Sequence, residues 1–297
     1  MFAAYFWGIL FDSLHAMVPI TLAGVGEVIG ETAGLFNIGL EGILLISALT
    51  GAMGANAAGP TVGMLVGLGT GFIIGLTFGA ISTYLKGDQM IIGVGINLFA
   101  LGFVDFGLVY LGTPGFTQVH RQMIKIHTPV GSLSPLIFLT LVLPFLIYYL
   151  LEHTQLGLKL KAVGENPAAA DVAGIRVNLL RMLATAAGAS LAGLAGAYLS
   201  VDWLGSVTKD ISAGRGFIAL ATVVFSGLNP LLTLLGGFIF GFFDALGTWV
   251  ANLPGIKEVI PWQFLRMTPY VVTLLVVAGV IGRVRFTKAL GKPYIRE

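Results

Sequence analysis

The sequence predicts an all-α, polytopic membrane protein, a helical bundle with about nine transmembrane helices. Of its 297 residues, 56% are hydrophobic and only 10% are charged, whereas soluble domains have about 25% charged residues. The mean hydropathy is +0.93. Apolar runs of about 20 residues, the length that crosses a ~30 Å hydrocarbon core, recur along the chain. A water-soluble globular protein is therefore excluded, and residues 1–297 are expected to form a single transmembrane domain with short connections.

The candidate spans follow from apolar length and from glycine and proline breakers. In chain order they are residues 6–29, 36–57, 61–85, 90–112, 133–151, 179–201, 216–229, 231–251 and 268–284. The seventh span is short and contains Gly216 and Gly227, with Pro230 directly after it. We therefore expect a broken or re-entrant segment there, since irregular backbone is tolerated where it lines a cavity. The expected total is about nine transmembrane helices, within a range of eight to ten.

Basic residues set the expected orientation. Ten of the 16 Lys and Arg residues follow the third, fifth and last spans, namely Lys86, Lys159, Lys161, Arg176, Arg181, Arg283, Arg285, Lys288, Lys292 and Arg296. Alternating spans place these three segments on one side, which the positive-inside rule makes cytoplasmic. The C-terminus is then inside, and residues 113–132 and 252–267 face outward. The expected connection at residues 27–32 has no Lys or Arg, which leaves the side of the N-terminus open.

Two stretches of the chain resemble each other. Residues 39–79 and residues 216–247 both contain an apolar segment, a break before a proline (Pro60 and Pro230) and a glycine-rich span. In the expected topology they start on opposite sides of the membrane, as in an inverted repeat, which in transporters places the substrate path near the midplane. Chance similarity between glycine-rich apolar segments is the alternative.

Small residues recur at four-residue spacing on two spans. They are Gly63, Gly67, Gly71, Gly75 and Gly79 on the third span, and Gly237, Gly241 and Ala245 on the eighth. Each set lies along one helical face, where missing side chains let another helix approach closely. We expect packing faces, with a surface that shifts during transport as the alternative.

The longest charged segment is Glu152 to Arg181. Within it, Asn166 can cap a helix that begins at Pro167, and Gly174 can end it. The pattern predicts a two-turn helix on the cytoplasmic side. Such a helix either docks a partner or only connects two spans.

Five polar residues are predicted inside or close to the spans, where ionisable groups are costly and often functional. They are Asn37, Glu41, Asn97, Asp105 and Asp244. Each is a candidate for a translocation path for a polar solute or, alternatively, for an interhelical hydrogen bond; Glu41 can also brace the start of its helix. Asp12 and His15, near the outer end of the first span, are expected to reach interfacial water.

Several chemistries have no motif in this chain. Gly291 and Lys292, the only Gly-Lys pair, are followed by proline, so there is no phosphate-binding P-loop and no ATP hydrolysis by this chain alone. The H-E-x-x-H, G-x-S-x-G and G-x-G-x-x-G patterns are also missing. With no cysteine there are no thiolate sites. We expect no catalytic, cofactor-binding or metal site, and, at a net charge of +2, no nucleic-acid binding.

Five segments carry a resemblance to a known family. They read GETAGLFNIGLEG, AVGENPAAADVAGIRV, GRGFIALATVVFSGLNP, MTPYVVTLL and ALGKPY, in this order between Gly30 and Tyr294. The chain resembles the bacterial ABC-importer permeases of the branched-chain amino acid, simple sugar and nucleoside superfamily. It is most similar to the shorter permease subunit of nucleoside or simple-sugar importers.

The resemblance implies a permease subunit, itself not an enzyme, that carries a nucleoside or simple sugar across the cytoplasmic (inner) membrane of a bacterium. Its partners would be a second homologous permease, a cytoplasmic ABC ATPase that uses the ATP, and an extracytoplasmic solute-binding lipoprotein. The cytoplasmic loop 152–178 would be the segment that docks into the ATPase. The residues that match this coupling motif are Gly164, Glu165, Asn166, Pro167, Asp171 and Gly174. Asn37, Gly39, Glu41 and Gly42 match the motif that opens the family's second span, and Asn97 lies in its fourth-span pattern.

Two positions depart from the family pattern. Thr32 stands where these permeases commonly have Arg, and Asp88 stands where Asn is usual. Asp88 could alter solute preference if it lay near the substrate entrance; an exposed loop position is the alternative.

Two other functions also fit the sequence. An ion-coupled secondary transporter acting alone is suggested by Glu41, Asp105 and Asp244 together with the repeat. A branched-chain amino acid permease is a further alternative within the same superfamily.

Overall fold

The computed structural model describes residues 2–113, 115–123, 125–128, 131–251, 267, 271–272 and 286–295. The helices are α1 Phe2–Thr32, α2 Leu40–Ala58, α3 Pro60–Thr83, α4 Gln89–Tyr110, α5 Pro135–His153, α6 Gln155–Glu165, α7 Pro167–Val172, α8 Val177–Ala197, α9 Arg215–Ser226 and α10 Pro230–Ala251. A π-helical turn, Tyr198–Trp203, continues α8. The strands are β1 Phe116–Gln118, β2 Ile126–Thr128, β3 Gly131–Leu133 and β4 Ser206–Thr208, paired antiparallel as β1 with β4 and β2 with β3.

Within the described residues, seven helices are long and apolar enough to cross a membrane, namely α1 to α5, α8 with its π-helical turn, and α10. The chain is therefore a multi-pass membrane protein. The predicted seventh span is a helix of only 12 residues, α9. At 1.5 Å per residue α9 is about 18 Å long, which is too short to cross a ~30 Å hydrocarbon core. This short length agrees with the expected broken or re-entrant segment. The predicted ninth span, 268–284, falls outside the described residues except at 271–272.

The first connection differs from the sequence prediction. α1 continues through Thr32, and residues 27–32 are buried helix, not a loop. The helix ends at Gly34, whose φ of +92° lets the Gly34 N–H reach the Glu31 carbonyl at 2.9 Å. The connection between α1 and α2 is therefore residues 33–39. Residues 27–32 contain no Lys or Arg because they lie in a buried helix and not in a loop.

The glycine faces pack as the sequence predicts. On α3, a Cβ added to Gly71 would lie 2.2 Å from the Ala189 carbonyl oxygen of α8. On α10, a Cβ on Gly241 would lie 2.7 Å from the Met17 backbone nitrogen of α1. These helix pairs approach at distances that no larger residue permits. Whether residues 39–79 and 216–247 form an inverted repeat stays a prediction.

The basic segments meet at one end of the bundle. Lys86, after α3, donates a hydrogen bond to the Tyr294 carbonyl, and burial, together with the charge of Arg181, lowers the pKa of Lys86. Arg181 at the start of α8 donates to the Lys292 carbonyl at 3.0 Å. At the other end, Asn56 of α2 accepts a hydrogen bond from the His120 N–H at 2.9 Å. The segments after α3 and α5 and the C-terminal tail thus share one end, as the loop charges predict.

Candidate functional site

Glu41 connects the start of α2 with the start of α9. Its buried carboxylate accepts hydrogen bonds from the Ser212 hydroxyl at 2.5 Å, the Gly214 N–H at 2.8 Å and the Gly216 N–H at 2.7 Å. The first N–H groups of a helix have no partner within the helix, and the helix dipole favours a negative charge beside them. Glu41 therefore caps α9 from another helix.

Glycine is required where α9 meets α2. Gly214 has a φ of +74°, a left-handed conformation that residues with a side chain rarely adopt. A Cβ added to Gly216 would lie 2.5 Å from the Glu41 backbone nitrogen. The two helix starts are thus in backbone contact, and the Gly-Arg-Gly sequence at 214–216 allows this contact.

Two asparagines fix the segment that leads into α2. Asn97 of α4 accepts a hydrogen bond from the Gly42 N–H at 2.8 Å and donates to the Ile38 carbonyl at 3.0 Å. Asn37 is fully buried, and its amide oxygen accepts from the Gly39 N–H at 2.9 Å. The structure therefore brings Asn37, Glu41 and Asn97 together around residues 37–42.

A cavity of about 440 Å³ lies beside this cluster, between α2, α4 and the segment that leads into α9. Glu41 and Asn97 lie in its wall, which is otherwise formed mostly by apolar side chains, among them the half-exposed Phe217 of α9. Lys209 and Asp210 also line it. Sequence reasoning missed these two charged residues because they lie in a short connection, where charges are ordinary.

The other two predicted path residues lie elsewhere. Asp244 of α10 forms an ion pair with Arg215 at 2.7 Å, and the Arg215 guanidinium lies 5.0 Å from the centre of the Trp203 ring. Asp105 is exposed on α4 and does not line the cavity. Asp244 thus holds the first residue of α9, while Asp105 joins no polar cluster in the described part of the chain.

His15 is buried, contrary to the sequence prediction. Its ring nitrogens lie 2.8 Å from the Tyr198 hydroxyl and 2.9 Å from the Ser132 carbonyl. The hairpin of β2 and β3 covers this end of α1, so the ring does not reach interfacial water. Asp12, one turn earlier, accepts a hydrogen bond from the Trp249 indole at 2.6 Å.

Glu27 and Glu31 form a buried acidic pair that sequence reasoning missed. Glu27 accepts a hydrogen bond from the Asn37 N–H at 2.7 Å. Glu31 is completely buried, and neither carboxylate oxygen has a hydrogen-bond partner among the described residues. The spacing of four residues in an apolar stretch, beside Gly26 and Gly30, was the available signal, since it puts both carboxylates on one helical face.

The predicted two-turn helix is present as α7. The Asn166 side chain accepts from the Ala169 N–H at 3.1 Å, Pro167 is the first helical residue, and Gly174 follows the helix with a φ of +83°. Asp171 accepts a hydrogen bond from the Tyr294 hydroxyl at 3.0 Å, whereas Glu165 is exposed. The local sequence therefore specifies this helix and both of its ends.

Gly164 anchors the segment formed by α6 and α7 to the bundle. A Cβ added there would lie 2.1 Å from the Thr32 carbonyl oxygen at the end of α1. The Gly164 carbonyl accepts from the Ala289 N–H at 3.0 Å, and Arg181 donates to the Val163 carbonyl at 3.2 Å. This segment therefore contacts α1, α8 and the C-terminal tail directly.

The two positions that depart from the family pattern have structural roles. Asp88 is exposed and caps α4, accepting hydrogen bonds from the Met90 N–H at 2.9 Å and the Ile91 N–H at 3.1 Å. Thr32 is buried and donates to the Val28 carbonyl at 2.6 Å. The described residues contain no group of three or more His, Asp or Glu side chains that could hold a metal ion.

Known proteins resemble this chain along most of its length. A family model described as branched-chain amino acid transport system / permease component matches residues 9–282. The nucleoside ABC transporter permease protein NupC of Lactococcus lactis is 33% identical over an alignment of 308 positions, which covers 97% of each chain. The guanosine ABC transporter permease protein NupQ of Bacillus subtilis is 32% identical, covering 94% of this chain and 93% of the relative. The ribose import permease protein RbsC of Escherichia coli is 31% identical, covering 78% and 77%.

Proposed function

Because this chain belongs to the branched-chain amino acid transport system / permease component family, we propose that it is the permease subunit of an ATP-driven importer whose solute is a nucleoside. The observation that carries the proposal is similarity over nearly the whole chain to permeases named for nucleoside and guanosine transport. A simple sugar is the second candidate solute, favoured by the similarity to a ribose permease.

The cavity supports a nucleoside over a sugar. Apart from Lys209 and Asp210 at the segment that leads into α9, its wall is mostly apolar, and the polar groups of Glu41 and Asn97 already bind backbone groups of the protein. A free sugar needs hydrogen-bond partners for several hydroxyl groups, whereas a nucleoside also has a flat base that packs against side chains such as Phe217. The cavity therefore matches a solute with one apolar face.

The α6–α7 segment supports coupling to an ATPase. The residues Gly164, Glu165, Asn166, Pro167, Asp171 and Gly174 lie in it or at its ends, and Val172 of α7 is 91% exposed. In this proposal a cytoplasmic ABC ATPase binds α7 and uses the ATP. Closure of the ATPases displaces α6, and the contact of Gly164 with Thr32 passes the displacement to α1. One half of the permease then rocks against the other and alternates access to the cavity.

The remaining partners follow from the same proposal. A second homologous permease completes the path, and an extracytoplasmic binding lipoprotein delivers the solute. In this proposal the protein lies in the bacterial cytoplasmic membrane. The positive-inside rule supports an orientation with the basic end of the bundle and the C-terminus in the cytoplasm.

The test is purification of the chain with its native partners, followed by uptake into proteoliposomes. We expect an ATPase and a second permease to co-purify, and ATP-dependent uptake of labelled guanosine that excess ribose does not reduce. Competition by ribose but not by guanosine would move the assignment to a sugar. Uptake by the chain alone that an uncoupler abolishes at constant ATP would instead establish an ion-coupled carrier.

A charge reversal tests the coupling role separately. Replacing the exposed Glu165 beside α7 by Arg should reduce ATP-dependent uptake while ATP hydrolysis continues. Lys288→Glu is the matched control, because Lys288 is also exposed at this end of the bundle but lies in the tail. Equal uptake by both variants and the wild type would argue that α7 is only a connector.

A further inference from the structure

A second cavity opens on the side of the bundle, away from Glu41. It has a volume of about 450 Å³ and lies between α5, α6 and α8. Every residue in its wall is apolar, including Leu143 and Leu150 of α5, Leu156 and Leu160 of α6, and Leu183 and Ala187 of α8. We refer to this cavity as the side crevice. Water is a poor occupant of such a space, because no polar group is present to bind it.

The helix that closes one end of the side crevice is amphipathic. On α6, Leu156 is 46% exposed and Leu158 is 70% exposed, while Lys159 and Lys161 alternate with leucines along the same helix. A helix with exposed leucines and lysines, directly after a membrane span, is typical of the membrane–water interface. The side crevice therefore opens into the bilayer at headgroup depth.

A positive charge lies at the edge of the side crevice. Lys159 is three residues after Leu156 and one before Leu160, so its stem lies next to Leu156 on the helix surface. Lys161 is paired with Glu152 at 2.7 Å. Lys159 is exposed, and the described part of the chain contains no carboxylate within ion-pair distance of it. A lysine at this depth attracts an anionic headgroup.

We propose that the side crevice binds one acyl chain of an anionic phospholipid, whose phosphate pairs with Lys159. The acyl chain contacts α5, α6 and α8 together, and the headgroup contacts α6. The lipid thus links the α6–α7 segment to two membrane spans. The inference does not depend on which solute the protein carries.

The test uses the fact that the chain has no cysteine. A single Leu183→Cys substitution in the wall of the side crevice is labelled with bimane in the purified assembly. The assembly is then reconstituted with lipids brominated on the acyl chains, which quench bimane on contact. We expect brominated phosphatidylglycerol to reach half-maximal quenching at about fivefold lower mole fraction than brominated phosphatidylcholine, the effect of one lysine at the membrane surface.

Two charge variants separate the headgroup contact from general attraction to the surface. In Lys159→Gln, brominated phosphatidylglycerol and phosphatidylcholine should reach half-maximal quenching at the same mole fraction. The matched Lys288→Gln in the tail should keep the difference between the two lipids. If the protein that carries only Leu183→Cys were quenched by both lipids at the same midpoint, the proposal would be overturned. So would a label shielded from both lipids, which would indicate that a protein occupies the side crevice.

A filling variant tests the acyl-chain contact. Ala187 lines the side crevice and is exposed, so Ala187→Phe should fit without disturbing the core and should weaken quenching by both lipids severalfold. Ala58→Phe, at the exposed end of α2, is the control for the added ring. Unchanged quenching in Ala187→Phe would contradict an acyl chain at this position.

Discussion

Glu41 and Glu31 are both buried glutamates near the ends of membrane helices, and their surroundings are opposite. The Glu41 carboxylate receives three hydrogen bonds, two of them from the first N–H groups of α9. The Glu31 carboxylate receives none from the described residues, although its backbone carbonyl accepts from the Thr287 hydroxyl at 3.0 Å. At Glu41 the side chain joins two helices, whereas at Glu31 the backbone carbonyl joins α1 to the C-terminal tail.

The difference shows that burial of a carboxylate in a membrane protein does not define its role. An ionised carboxylate in an apolar surrounding is costly unless donors surround it. Glu41 has those donors because α9 begins beside it, so replacing one of its oxygens leaves at least one donor without an acceptor. Replacement of the Glu31 carboxyl breaks no hydrogen bond among the described residues. The two glutamates should therefore respond differently to the same substitution.

The largest effect is expected for Glu41→Gln. The amide keeps one oxygen but directs an NH₂ group toward backbone N–H donors, and each lost bond to a charged acceptor is worth about 1.5–3 kcal/mol. We expect ATP-dependent uptake to fall at least about tenfold while the protein still reaches the membrane. Uptake of labelled guanosine, normalised to the amount of protein in the membrane, measures this effect.

Asp105→Asn is the control for Glu41→Gln, because it makes the same chemical change at an exposed position on α4. Its uptake should stay within about twofold of the wild type, as for most surface substitutions. Equal loss in both variants would contradict a special role for the contact of Glu41 with α9.

An intermediate effect is expected for Gly164→Ala, near the backbone of Glu31. The new methyl group would lie 2.1 Å from the Thr32 carbonyl, so α6 must separate from α1. Uptake should fall severalfold while ATP hydrolysis by the assembly continues. Gly95→Ala on α4 is the matched control, because a Cβ there meets no atom within 4 Å. A coupled, fully active Gly164→Ala variant would show that this contact does not transmit motion.

The smallest effect is expected for Glu31→Gln. The substitution breaks no hydrogen bond of the Glu31 carboxyl among the described residues and nearly conserves its shape, so the Tm should change little. Uptake should stay within about twofold, the range expected for a substitution that breaks no named contact. If Glu31→Gln reduced uptake as much as Glu41→Gln, the contrast between the two regions would be wrong, and Glu31 would belong to the transport machinery.

The sequence predicts the parts of this structure that depend on local rules. Apolar length gives the seven long helices of the described residues, and Asn166, Pro167 and Gly174 give both ends of α7, because caps and breakers act within a few residues. The four-residue spacing of Gly63 to Gly79 gives a packing face for the same reason.

The parts that were missed depend on contacts between distant segments. Asp105 and Asn97 lie two turns apart on α4, but only Asn97 faces α2, and no local pattern states which face meets another helix. The sequence predicts too early an end for α1, because two glutamates in a short stretch are typical of a loop. In the structure Asn37 and the C-terminal tail contact Glu27 and Glu31 and bury them. The cavity forms only where α2, α4 and the start of α9 meet.

The cap on α9 has a consequence for metabolites that carry phosphate. The free N-terminus of a helix is a ready site for phosphate, and many proteins use it in this way. Here the protein's own Glu41 occupies that position, so a nucleotide that enters the cavity finds the anion site filled and meets a negative charge beside it. In the proposed importer, the side chain that joins two helices would therefore also disfavour a phosphorylated solute at this helix start.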